Sequence, residues 1–124
     1  MTLENDALNT RSQSFGWHVQ QLAAALDREM KAQLEPLDLN QAQFVILMKL
    51  LELGPSTQAK LAQFSSMPVY AMSREIDRLE TSGHLTRQPH PTSRRAHLIH
   101  LTQRGEDIGP SLFEIVARVN ARCT

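Results

Sequence analysis

The 124-residue chain contains a single cysteine, Cys123, so it can form no internal disulfide and no thiolate metal cluster. Aromatic residues are scarce, 5% against 41% apolar residues in all, which leaves Leu, Ala, Ile, Val and Met as the material of the core. No apolar run approaches the ~18 residues of a membrane span. The acidic, polar start "MTLENDALNT" lacks the basic end and apolar centre of a signal segment, and a cytoplasmic protein is expected. There is no glycine-rich phosphate loop, no carboxylate pair beside a histidine and no nucleophile elbow, so an enzyme is not expected. The formal net charge is zero, which excludes a uniformly basic nucleic-acid binder but not a local basic face.

That zero conceals a division. Residues 1–53 carry four basic and seven acidic side chains, residues 54–105 carry seven basic and three acidic ones, and residues 106–124 two and three. The middle segment is therefore the basic one, and it also holds four of the five histidines. His97 and His100, three apart on a predicted strand, face opposite sides and cannot chelate together, so neither a metal nor a cofactor is expected. A phosphate lying near His84 or His90 would be held more tightly once those rings are protonated.

The chain's length suits one domain spanning 1–124. Phe15, Val19, Leu22, Leu26, Met30 and Leu34 recur at helical spacing and predict one helix over 13–34, capped by Ser14 and ended by Pro36. A second helix follows Asn40, with Phe44, Leu47, Met48 and Leu51 as its apolar stripe, and stops at Gly54-Pro55. "STQAKLAQF" predicts a short third helix, capped by Ser56 or Thr57, with Leu61 and Phe64 buried. After the polar turn "SSM", Pro68 begins a fourth helix, with Ser66 as its expected cap and Gly83 at its end. Residues 85–88 and 96–101 predict a hairpin around the seven-residue loop Pro89–Arg95. A last helix runs from Gln103, with Pro110 tolerated in its first turn. Two helices across a tight turn, followed by a strand pair, predict a mainly α winged helix-turn-helix with a small β-hairpin wing.

On the fourth helix, the spacing places Val69, Met72, Ile76 and Leu79 on the inner side and Tyr70, Ser73, Arg74, Asp77 and Arg78 on the outer one. A phenol, a hydroxyl and a guanidinium on the outer side suit base edges and phosphates in a major groove. The same residues would also suit a solvated face, with Arg74 pairing with Asp77 three residues on. Ser56, Thr57, Gln58 and Lys60 offer hydroxyls, free N–H groups and an ammonium at a helix N-terminus, a natural phosphate anchor.

The stretch "SREIDRLETSGHLTRQPHPTSRRAHLIHLTQRG" resembles the MarR family of transcriptional regulators, and the likeness extends over about residues 13–122. It carries that family's recognition-helix ending "LE..G", a strand arginine, a "DP.DRR"-like wing and "LT..G". The resemblance implies a homodimer held by helices 13–34 and 103–122, with a winged lobe over 40–101 that binds a palindromic operator in double-stranded DNA. It implies repression relieved by a small, often aromatic, effector. Carried over by position, Ser73 and Arg74 reach the major groove, Arg95 enters the minor groove, and Arg94 is its basic neighbour. With Ser56, Thr57, Gln58, Lys60, Pro68, Tyr70 and Arg78 these form the expected DNA-facing set. Trp17, His18, Phe44 and Met48 are the expected effector pocket. Where the family commonly has acids in the wing, this chain has His90 and Ser93, so the wing arginine is expected to be braced less, or differently. The alternative reading is a winged helix that binds another protein, for which apolar wing tips would suit better than Arg94 and Arg95.

Overall fold

Ser14 caps the long helix that the periodicity predicts and separates it from an earlier helix that the sequence pattern does not anticipate. Its backbone is extended (φ −83°, ψ 116°), and its hydroxyl accepts the Trp17 N–H at 3.1 Å, ending one helix and capping the next. The computed structural model describes residues 2–93 and 95–123. In it α1 (Leu3–Gln13) precedes α2 (Phe15–Leu34). The polar α1 buries none of its residues. Along α2 the apolar stripe splits: Met30 and Leu34 enter the core and Leu26 packs against it, whereas Phe15, Val19 and Leu22 are exposed.

Pro36 stops α2 in a single 3-10 turn that ends with Asp38 in the left-handed region. α3 (Gln41–Leu53) then starts on a reciprocal cap. The Asn40 side chain accepts the Gln43 N–H at 2.7 Å, and the Gln43 side chain accepts the Asn40 N–H at 3.0 Å. The residues after Gly54 form a short strand, β1 (Ser56–Thr57), before α4 (Gln58–Ser65). Thr57 is the cap of α4, its hydroxyl accepting from Lys60 N–H at 3.1 Å. Ser66, expected to cap the next helix, instead closes α4 in the left-handed region, and Pro68 takes the N-cap position of α5 (Val69–Thr81). Phe64, expected in the core, is 49% exposed, with the Lys49 ammonium 5.7 Å from its ring centre.

β2 (Leu85–Pro89) and β3 (His97–Leu101) form the predicted hairpin, with Leu85 opposite Leu101 and Arg87 opposite Ile99. β3 also pairs with β1, Ser56 opposite Ile99 and Thr57 opposite Leu98, so the order is β1-β3-β2. On β3, Ile99 is buried and Leu98, on the opposite face, is half-buried. The chain closes with α6 (Gln103–Asp107) and α7 (Gly109–Cys123), two helices where the sequence predicts one, with Pro110 in the first turn of α7. Leu112, Ile115 and Val119 of α7 are buried, and α7 packs on α2. The core joins these residues to Leu34, Ile46, Leu47, Leu61, Met72, Ile76, Leu79, Leu85 and Ile99. No helix among the described residues is long and apolar enough to cross a membrane.

The corner between α5 and α6 is set by backbone contacts. Gly83, in the left-handed region at φ 83°, lets the chain leave α5. The Thr102 hydroxyl donates to the Gly83 carbonyl at 2.5 Å and accepts the Gly105 N–H at 3.2 Å. Gly105 packs so closely on the His84 carbonyl that a Cβ there would overlap it.

Candidate nucleic-acid interface

α5 buries Met72, Ile76 and Leu79, as the spacing predicts, but Val69 is 63% exposed, because it sits one turn ahead of the core contact. Tyr70 is exposed, Ser73 half-buried, and the Arg74 side chain is 61% exposed. These three stand together on the N-terminal half of the outer side. Arg74 does not pair with Asp77. Asp77 instead takes the Arg87 guanidinium of β2 at 2.6 Å, and the nearest carboxylate to Arg74 is the edge of Glu75 at 4.0 Å.

Arg87 is a clamp between α5 and the wing. Besides Asp77, its guanidinium reaches Glu80 at 3.0 Å and the Ser73 carbonyl at 3.5 Å, while its own N–H donates to Glu80 at 3.0 Å. Its single positive charge is shared between two acids and offsets part of the repulsion they would exert on a phosphate beside the reading face.

Glu75 is the second organising group, and sequence reasoning gave it no role. It is 5% exposed, on the same side of α5 as Met72 and Leu79. One oxygen accepts from the Asn40 side chain at 3.0 Å and the other from Arg78 at 3.0 Å, which ties α5 to the cap of α3. A carboxylate at an inward position of the helical period was the available signal. The contact turns Arg78, expected with the DNA-facing set, toward a cleft of about 450 Å³ that Lys31, Asn40 and Gln43 also line.

Of the α4 group, Lys60 is exposed and Gln58 half-buried, while the Thr57 hydroxyl is occupied as the cap. Ser56 is 2% exposed and donates to the Gly54 carbonyl at 2.9 Å, so it faces the interior of the sheet and not a phosphate. Pro68 is exposed at the start of α5 and Arg95 at the wing tip. Arg94 lies outside the described residues.

The expected effector residues divide between α2 and α3. Trp17 lies at the α1–α2 junction, with the Arg11 guanidinium 5.6 Å from its ring centre, and the His18 ring contacts the Ser12 carbonyl at 2.8 Å. Phe44 and Met48 pack against the core from α3.

His84 does not meet a phosphate either. It is 4% exposed, with Nδ1 2.6 Å from the Ser82 hydroxyl. Burial, and then the positive Arg104, hold its imidazole below the ordinary 6.5. The unfolded chain therefore takes up this proton at a higher pH than the fold does. The stability it contributes is complete above 6.5 and is lost as pH falls from there through the lowered value. In thermal melts, the stability difference between the wild type and His84→Gln should shrink as pH is lowered through that window; a constant difference would show that His84 does not titrate in this way.

A capped short helix, a tight turn, a helix with a polar outer face and a hairpin clamped beside it define a winged helix-turn-helix lobe. Residues 39–97 match the MarR family model. The chain is 32% identical over 92 residues to the multiple antibiotic resistance protein MarR of Escherichia coli K12, covering 74% of this chain and 64% of that protein. The MarR of Salmonella typhimurium is 34% identical over 82 residues, 66% of this chain and 57% of that protein. The chain thus spans somewhat under two thirds of the length of these curated relatives. The apo crystal structure of E. coli MarR matches with a TM-score of 0.81 at 28% identity, over 90% of this chain and 83% of that one. A mutant E. coli MarR complexed with operator DNA matches with a TM-score of 0.82 at 26% identity, over 100% of this chain and 86% of that one. The chain belongs to the MarR family.

Proposed function

We propose that the protein is a sequence-specific DNA-binding transcriptional regulator that acts as a homodimer on a two-fold symmetric operator. The observation that carries this is the outer side of α5, where exposed Tyr70 and Arg74 stand beside half-buried Ser73, on a helix that packs against α4 and against the wing strand β2, with Arg95 exposed in the wing. In this reading the α4 N-terminus and Lys60 hold phosphate and set the register, α5 enters the major groove, and Arg95 enters the minor groove. The E. coli relative bound to operator DNA supports it, since the likeness covers the whole of this chain. A wing tip bearing Arg95 suits a phosphate-lined groove better than an apolar protein surface.

The surface that α2 and α7 leave uncovered supports the dimer. Phe15 is 82% exposed, Leu22 52% and Phe113 51%, apolar surface that a second copy would remove from water. Two lobes then present their α5 helices to half-sites about 34 Å apart, one turn of DNA. Sedimentation should give a dimer at micromolar concentration; a monomer there would remove the operator-spacing mechanism. Arg95→Ala should weaken DNA binding and lower the salt slope by about one unit per wing. An unchanged slope would place the wing off the DNA.

A further inference from the structure

The turn of the wing is built around one imidazole. The His90 N–H donates to the Ala96 carbonyl at 3.2 Å, adding a rung beyond the Pro89–His97 pair. Its side chain then folds into the turn it has closed. Nδ1 accepts from the Thr92 N–H at 3.1 Å and from the Ser93 N–H at 3.2 Å, with the Thr92 hydroxyl 3.3 Å away. Among the described residues of the turn, all four of these hydrogen bonds run through His90. Pro91, between the donors and the acceptor, has no N–H to give and fixes its own φ. Ser93, in turn, contributes its backbone N–H to this arrangement.

The geometry points to His90 as the positioning residue of the wing: the lone pair at Nδ1 gathers the turn and thereby aims Arg95. This inference rests on the reading that places the wing on DNA. The chemistry is specific. Two backbone donors converge on one ring nitrogen, which must be unprotonated to accept them, so the proton of the neutral ring sits on Nε2. The role belongs to an acceptor at the δ position of the side chain. Asn carries such an acceptor, since its Oδ1 takes N–H groups two residues on in the same way. Leu has comparable bulk and no acceptor.

This difference provides the test. A duplex recovered by the wild-type protein from a random-sequence pool serves as the probe, and a shuffled duplex of equal length as the reference. The ratio of the two affinities reports positioning, because a change in charge alone acts on both duplexes. His90→Leu should lower that ratio about fivefold or more, the lower end of what one base contact contributes. His90→Asn should keep it within about twofold of the wild type. Hydrogen exchange at the Thr92 and Ser93 amides should be fast in His90→Leu and slow in the wild type and His90→Asn, with the melting temperature little changed.

Arg95→Ala separates the two ways to fail. If it lowers affinity for the recovered duplex while His90→Leu leaves the ratio unchanged, the positioning role is overturned and the wing reading stands. If neither variant changes DNA binding, the wing reading falls and the role falls with it. A His90→Asn ratio as low as that of His90→Leu would also overturn the proposal, because the acceptor would then not be what matters.

Discussion

Arg74→Ala should reduce affinity for the preferred DNA duplex by about 1–3 kcal/mol, roughly five- to 150-fold, and relax sequence preference at the bases it meets. The structure makes the loss interpretable. Arg74 is neither core nor a strong ion pair: its side chain is 61% exposed and its closest carboxylate is 4.0 Å away. Removing it costs the fold little, so melting should be unchanged within about 0.5 kcal/mol, as for surface sites generally. Asp77 stays with Arg87, at 2.6 Å, and creates no new unpaired acid. Quantitative binding to the preferred and the shuffled duplex, together with a thermal melt, measures both parts. An unchanged preference would remove α5 as the reading element.

Gly105→Ala should do the reverse, leaving the reading face intact while destabilising the whole lobe. The added Cβ meets the His84 carbonyl, and that backbone is pinned from both sides. The Thr102 N–H donates to the same carbonyl at 3.1 Å, and the Thr102 hydroxyl fixes Gly83 next to it. Overpacking against rigid backbone costs about 3 kcal/mol, the upper end of the usual range. A loss of that size should lower the melting midpoint by about 10 °C or more in a domain of this length. An unaltered midpoint would show that α6 can lift off the corner without penalty.

Much of the order of elements was legible because the signals were local. Asn40, Thr57, Gly54-Pro55 and Gly83 act on chain within a turn of themselves, and they start or end helices where the pattern places them. The mistakes share a cause. Val69, Phe64 and the first half of α2 are apolar at helical spacing, and periodicity reports a face without saying what, if anything, covers it. Ser56 is a polar residue at a predicted helix start, but a strand pairing with Ile99, 43 positions away, turned it inward. Glu75 and Arg87 depend on contacts between elements that no window along the sequence contains.

The family motif had a different status. It led to Gly83, Thr102 and Gly105 as a pattern, and the structure supplies their reason: a left-handed residue, a hydroxyl that bonds in two directions, and a space too small for a methyl group. The missing wing acids were also visible in the sequence. What replaces them was not, because an imidazole that accepts from its own turn looks the same in sequence as one facing solvent.

The two-residue β1 strand has a mechanical consequence. By pairing Ser56 and Thr57 with the inner strand of the wing, it joins the first turn of α4 to the hairpin, while Arg87 joins the hairpin to α5. Three parts that would touch DNA at separate places are thus one casting. Such a lobe cannot adapt finger by finger to a poor site. It fits as a jaw of fixed shape, and the adjustable quantity left to a dimer is the gap between its jaws.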